Sequence, residues 1–355
     1  MGAVDGPRSI YSAMPTALVC PDKFKGTLSA PAAAAAMARG LRTAGFDDVR
    51  ELPLADGGEG TLDALLAARG GSRRRATVTG PLGDPVDAEW GMLPGGTAVV
   101  EVARASGLGL VRRNDPLRAS TRGTGELIAV ALRGGARSVL VAAGGSATTD
   151  GGLGALDALG WSFGSVPVVV ACDVSTRFLD AARVFAPQKG ASDAQVQLLT
   201  RRLARLAEEY QARTGVDVTG LDGAGAAGGL AGGLAALGAT LEPGFDVVAG
   251  AAGLDDLLDD ADLVVTGEGR VDATSFAGKV VGGVVEWAAD AGVPACGVIA
   301  GQVTDEAREE LGLHSGVEVL SLRDRVWQAG ETFVRTRLLV EEAAIELGRR
   351  VLQAG

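Results

Sequence analysis

Short apolar runs rich in Val and Leu recur at 16–20, 139–143, 166–172, 263–266 and 295–300, separated by longer segments with helical spacing. Runs of this length bounded by Gly or Pro read as buried strands, and their alternation with helices predicts an α/β fold on mostly parallel sheet. After the first run, Ser29 as N-cap, Pro31 in the first turn and the Ala-rich stretch 32–39 predict a helix closing near Gly40. Residues 21–28 then form a strand-to-helix loop. The rhythm breaks at 76–103, where three strand-like pieces are separated by the turn clusters PLGDP and LPGG. This predicts an antiparallel meander opening a second domain. Segments 192–214 and 333–352 have amphipathic helical spacing with exposed Arg and Glu, the solvated faces of peripheral helices.

The chain has 355 residues, 47% hydrophobic, enough for two to three domains at about 100–200 residues each. Its 54 glycines lack a collagen period and mix with ordinary helix and strand signals. A net charge of -11 with one His argues against a broad nucleic-acid or anionic-membrane surface, so a phosphate ligand must meet a local cluster of donors. Cys20, Cys172 and Cys296 lie far apart in apolar runs, as buried thiols in a reducing cytoplasm do. Residues 1–14 read as a flexible tail without the charged and apolar regions of a signal peptide, and no run is suited to span a bilayer.

Of 33 basic residues only four are lysines, Lys23, Lys25, Lys189 and Lys279, and all fall in glycine-bearing loops, DKFKG, PQKGA and AGKVV. A compact ammonium beside free backbone N–H groups suits phosphate; four ordinary surface lysines are the plainer alternative. A second constellation is acidic: Asp56 and Glu59 in ADGGEGT, Asp150 in GGSATTDGG, Asp173 in ACDV, Asp222 in LDGAGAAGG, and Glu268 and Asp272 in TGEGRVD. Carboxylates beyond strand ends can hold Mg²⁺ or take a hydroxyl proton, although Asp-Gly pairs also form simple turns. The loop 144–152 sits between a strand and a helix, so its amides and the hydroxyls of Ser146, Thr148 and Thr149 can cradle phosphate. GAGAAG at 223–228 matches a dinucleotide fingerprint in form, without the preceding strand or a clear acidic partner. There is no G-x-x-x-x-G-K-[ST] loop and no G-x-S-x-G elbow, and His314 reads as a surface residue.

Taken in order, PDKFKGTLSA, PLADGGEGTLDALL, GGSATTDGGLGAL, ACDV, VFAPQKGAS, DGAGAAGGLAGGL and TGEGRVDATSFAGK resemble the type I glycerate kinases over residues 17–301. The resemblance implies two three-layer α/β domains with a cleft between them. One is flavodoxin-like and discontinuous, 15–79 and 290–355; the other is an inserted mixed-sheet domain, 80–289, with partial likeness to restriction endonucleases. It also implies transfer of the ATP γ-phosphate to D-glycerate, giving 2-phosphoglycerate rather than 3-phosphoglycerate, with ATP and Mg²⁺ as cofactors. Lys25, Lys189, Asp173 and Asp150 are the catalytic candidates. Gly144, Gly145, Ser146, Lys279, Asp22 and Asp222 are the cofactor-binding candidates, and Asp56, Glu59 and Glu268 the metal candidates. The partners expected are these small molecules, with no nucleic acid and no membrane.

The chain also departs from the family pattern. Residues 160–165 lead almost straight into the 166–172 strand, where the family has a longer excursion. Residues 175–180 replace the family's Asn-Pro-Leu turn, and Thr149 stands where Asn is usual. These changes motivate an alternative, a silent relative that senses glycerate or nucleotide. A nucleotide-dependent oxidoreductase would rest on GAGAAG alone.

Overall fold

A computed structural model describes residues 15–276, 278–326 and 329–354; the expected tail 1–14 lies outside the described residues. The strands among them are β1 (Thr16–Val19), β2 (Asp48–Glu51), β3 (Ser72–Thr79), β4 (Pro85–Met92), β5 (Thr97–Glu101), β6 (Ser138–Ala142), β7 (Val168–Cys172), β8 (Thr240–Pro243), β9 (Leu263–Thr266), β10 (Arg270–Val271), β11 (Ala295–Ala300), β12 (Gln302–Val303) and β13 (Val317–Ser321). The chain divides into two units, Met1–Ala55 with Ala249–Gly355, and Asp56–Val248. The junctions therefore fall at 55/56 and 248/249 rather than at the expected 79/80 and 289/290. Strand pairing is the reason at the second junction: β9 lies between β1 and β11, which ties it to the first unit. At the first, the helix Thr61–Arg69 packs on β4 and β5 of the second unit.

The discontinuous unit holds a five-stranded, wholly parallel sheet in the order β13-β11-β9-β1-β2. Counted in chain order within the unit this is 2-1-3-4-5, the flavodoxin-like winding. Helices Ala30–Ala44 and Ala329–Ala354 cover one face with Met37, Leu41, Leu339, Val340 and Leu347 against Val19, Val265 and Ile299. Helices Val280–Asp290 and Asp305–Gly312 cover the other with Val281, Val285, Ala307 and Leu311 against Cys296, Val298 and Ala300. Alternate residues of β11 thus enter opposite cores, as the period of a strand requires.

Helix Ala30–Ala44 starts as expected, Ser29 Oγ accepting from Ala32 N, but it runs through Gly40 and ends at the left-handed Gly45. Gly40 is a packing position: a Cβ there would lie 2.4 Å from Glu341 O.

The continuous unit carries a six-stranded sheet in the order β3-β4-β5-β6-β7-β8. β3, β4 and β5 form the antiparallel meander expected from the turn clusters, and β5 to β8 are parallel. Its core gathers Trp90, Val100, Leu127, Val141, Val170, Phe178, Leu203 and Tyr210. The three cysteines are free and buried, and burial raises their thiol pKa values, Cys172 to about 11 and Cys296 to about 12. Among the described residues no helix is long and apolar enough to cross a membrane.

Candidate active site

In parallel sheets the loops beyond the strands' carboxyl ends carry the ligands. In the continuous unit the loop after β6, residues 143–152, is held by Lys189, Asn114, the segment 227–228 and Tyr210. Lys189 is buried, and its Nζ donates to Ser146 Oγ at 2.8 Å and to Thr148 O at 2.6 Å. Asn114 Nδ2 donates to Ala147 O at 2.9 Å and to Lys189 O at 3.0 Å, tying this loop to the one that supplies the lysine. Thr148 Oγ1 donates to Ala227 O, and Gly151 N to Gly228 O. Tyr210 Oη donates to Gly151 O at 2.9 Å. Burial pushes the Lys189 ammonium down to about 7, against the opposing pull of Asp150.

Asp150 is occupied by backbone. Its Oδ2 accepts from Thr121 N and Oγ1 at 2.8 and 2.9 Å and from Gly154 N at 3.4 Å, and its Oδ1 accepts from Gly152 N. It thereby joins the starts of helices Arg122–Arg133 and Leu153–Ala158. Desolvation raises its pKa while these bonds lower it. Such a carboxylate is a cap serving two helices, with little free acceptor capacity for a substrate proton.

The ADGGEG loop packs on the same glycine loop. A Cβ on Gly144 would lie 2.7 Å from Gly58 Cα, and one on Gly145, whose φ is +72°, would lie 2.4 Å from Glu59 Oε1. Glu59 is exposed and Asp56 half-buried, with Asp56 Oδ1 accepting from Gly58 N at 3.2 Å. Helix Thr61–Arg69 begins at Gly60, which has no side chain to cap it. The cap comes from Glu101 at the end of β5, a residue singled out by no motif; its place at the carboxyl end of the run TAVVE is the only signal the sequence offers.

Asp173 stands half-buried at the carboxyl end of β7, at the head of the altered loop. Asp222 is 74% exposed and accepts from Arg177 Nε of that loop at 3.3 Å, so it ties two loops together. The GAGAAG glycines answer to packing: Cβ atoms on Gly225 and Gly228 would lie 2.6 Å from Arg177 O and 2.0 Å from Thr148 O. The segment before them is a short 3₁₀ turn, Val218–Gly220, where a dinucleotide fingerprint needs a strand.

The discontinuous unit reverses its strand order between β1 and β9, and the loops beyond those strands carry the remaining motifs. Asp22 N donates to Gly267 O at 2.9 Å and Thr266 Oγ1 to Cys20 O at 2.9 Å, locking the two loops side by side. A Cβ on Gly267 would lie 1.8 Å from Ile299 O, and Gly269 lies against Lys25 N. Asp22 is buried and pairs with Lys23 at 3.5 Å, while Lys25 is exposed and makes no ion pair among the described residues. Glu268 is half-buried at the end of β9. Lys279 precedes helix Val280–Asp290, and its Nζ donates to Thr274 Oγ1 at 3.1 Å. Thr274 donates in turn to Asp272, which holds that carboxyl below its usual range.

Ser146 and Lys189 are thus in direct contact, Gly144 and Gly145 adjoin Glu59, and Asp22, Lys25 and Glu268 share one strand-end region within the discontinuous unit. Among the described residues no group of three or more His, Cys, Asp or Glu is placed to hold a metal ion by itself.

The glycerate kinase family model matches residues 17–166 and 162–352. The two segments meet where helix Leu153–Ala158 leads directly into β7, a junction closed by Trp161, whose ring meets Tyr210 edge-on and lies under Arg213. A glycerate 2-kinase of Escherichia coli K12 is 42% identical over 81% of this chain and 86% of its own length. A glycerate kinase of Bacillus subtilis 168 is 40% identical over 82% and 86%. The crystal structure of a candidate glycerate kinase 2 from Salmonella typhimurium LT2 superposes with a TM-score of 0.82 at 34% identity, covering 96% of this chain and 99% of that one.

Proposed function

The chain belongs to the glycerate kinase family, and from that premise we propose that it transfers the γ-phosphoryl group of ATP to D-glycerate, releasing 2-phosphoglycerate and ADP. The observation that carries the reading is the position of the motif loops: in each unit they lie beyond the carboxyl ends of parallel strands.

Phosphoryl transfer asks the protein for positioning and charge neutralisation. Asp173 takes the proton of the attacking glycerate hydroxyl as the new O–P bond forms and the bond to the ADP oxygen breaks. Lys25, exposed and without an ion pair among the described residues, supplies positive charge to phosphate or carboxylate oxygens, and the Gly144–Gly145 backbone supplies N–H donors. Lys189 acts one step back, by fixing Ser146 and Thr148. Lys279 and Asp22 belong to the nucleotide's surroundings, and Asp222 only stabilises a neighbouring loop.

Mg²⁺ fits this inventory. That ion is usually bound by one or two carboxylates together with substrate phosphates and water, and the carboxylates of Asp56 and Glu59 lie on one glycine-bordered loop. Glu268 is the corresponding carboxylate of the discontinuous unit. When bound, the metal neutralises charge on the nucleotide phosphates. The buried thiols fit a reducing cytoplasm.

The test is ADP release coupled to a reporter, with ATP, Mg²⁺ and D-glycerate, followed by identification of the phosphoglycerate isomer. L-Glycerate, glycolate and tartronate serve as competitors. Turnover dependent on D-glycerate and yielding the 2-phosphate is expected; a folded protein that binds ATP but turns over none of these acids would sink the reading.

A further inference from the structure

We infer that Glu101 is a positioning residue for the Asp56 and Glu59 carboxylates, and so for the metal requirement of the reaction; this rests on the kinase reading above. Glu101 ends β5 and is 2% exposed. Its Oε1 accepts from Gly60 N at 3.0 Å and Leu62 N at 2.8 Å, and its Oε2 accepts from Arg104 Nε at 2.7 Å. Arg104 is itself fixed, donating to Glu89 Oε2 at 2.7 Å and Asp63 Oδ2 at 3.1 Å. Arg73 bridges the same two acids, and Arg75 is a third arginine on Glu89.

The arrangement exceeds what a helix start needs. A Ser or Asp at position 60 would cap the helix locally. Here that position is a glycine at φ +100°, and the cap is a buried carboxylate 41 residues further along the chain. Burying a carboxylate is costly unless its oxygens are hydrogen-bonded, and both oxygens of Glu101 are engaged, by three bonds in all. The result is a fixed distance between the end of β5 and the residue that follows Glu59.

On its other side the loop is fixed as well. Gly58 O accepts from Thr61 Oγ1 at 2.8 Å, and Gly58 and Glu59 lie against Gly144 and Gly145. The Asp56–Glu59 segment is therefore held between a cap and a glycine loop. By accepting from Gly60 N and Leu62 N, Glu101 takes two of the N–H groups at that terminus.

Residues that orient metal-binding side chains typically alter metal affinity by about 10–100-fold when removed. Glu101→Ala is expected to raise the Mg²⁺ concentration for half-maximal turnover by about tenfold or more, with the D-glycerate KM within about twofold of wild type. Binding of Mn²⁺ in the presence of a non-hydrolysable ATP analogue, followed by the free-ion electron paramagnetic resonance signal, should weaken by the same factor. Glu101→Gln keeps an oxygen for Gly60 and Leu62 and should shift both readouts less. It also serves if the alanine variant does not fold. A metal dependence unchanged in either folded alanine or glutamine variant, or a loss of turnover at saturating Mg²⁺ without change in Mn²⁺ binding, would overturn the inference. A wild-type protein without glycerate-dependent turnover would overturn the kinase reading alone, since the Mn²⁺ comparison still decides the role of Glu101. A wild type that binds no Mn²⁺ with nucleotide would overturn both.

Discussion

Lys189 reaches Ser146 across 43 positions of chain, its ammonium 2.8 Å from the serine hydroxyl and 2.6 Å from Thr148 O. A buried cation with both contacts made to one loop is a clasp, and this sets it apart from exposed Lys25. Lys189→Met should lower kcat by about 100-fold, the scale of loss expected when a reacting group is misplaced by an ångström. The KM values for ATP and D-glycerate should move little. Steady-state kinetics with each substrate varied decide the matter: near-normal kcat with a raised ATP KM would mean that Lys189 binds phosphate directly.

The same lysine makes stability depend on pH. Its folded pKa is about 7 against an ordinary value of 10.5, so above pH 7 the unfolded chain binds more protons at this site than the folded one. Stability from this group must therefore rise with pH. Above about pH 8.5 the buried cysteines oppose it, because their raised folded pKa values favour the unfolded thiolates. Between pH 7 and 8.5 the lysine should contribute an increase of about 1.5 kcal/mol in unfolding free energy. Urea titrations of wild type and Lys189→Met across this window test it: the methionine variant should lack that increment, and parallel pH profiles would refute the burial of a lysine that loses its proton near neutrality.

Asp150 and Asp173 separate in the same way. Asp150→Asn keeps one acceptor oxygen for four donors and should cost about 1–3 kcal/mol of stability through unsatisfied backbone N–H groups. Asp173→Asn should cut kcat by about 100- to 10,000-fold, the range for loss of a general base, in protein that remains folded. Thermal melts and turnover on both variants make the comparison; a reversed pattern would move the base assignment to Asp150.

Much of this was legible in the sequence because it depended on local pattern. The run 263–266 is β9 to the residue, and PLGDP and LPGG gave the meander because turn chemistry acts over four residues. What depended on distant partners was not legible. Nothing around Gly40 indicates that helix Ala329–Ala354 presses its backbone there, so the glycine resembled a terminator. The junction at 248/249 follows from β9 pairing with β1, a contact spanning 246 residues. Asp150 reads as a candidate base because its partner Thr121 lies 29 residues upstream, and neither Glu101 nor Asn114 carries a local signal because each acts on a loop remote in sequence.

The glycines of GAGAAG offer a last test, because two explanations of them predict different outcomes. If they close-pack the loop that carries Ser146 and Asp150, Gly228→Ala must strike Thr148 O, 2.0 Å from the new Cβ, at a φ of +71° that Ala adopts at a cost. Backbone strain and overpacking together should remove about 2–5 kcal/mol. Gly215→Ala is the control: its φ is +81°, but nothing lies within 4 Å of the added Cβ, so only the conformational cost of about 1–2 kcal/mol applies. Chemical denaturation of both variants gives the difference directly. Equal losses would mean that the Gly228 contact yields freely, and the shape of the 143–152 loop would then rest on its hydrogen bonds, those from Lys189, Asn114 and Tyr210 among them.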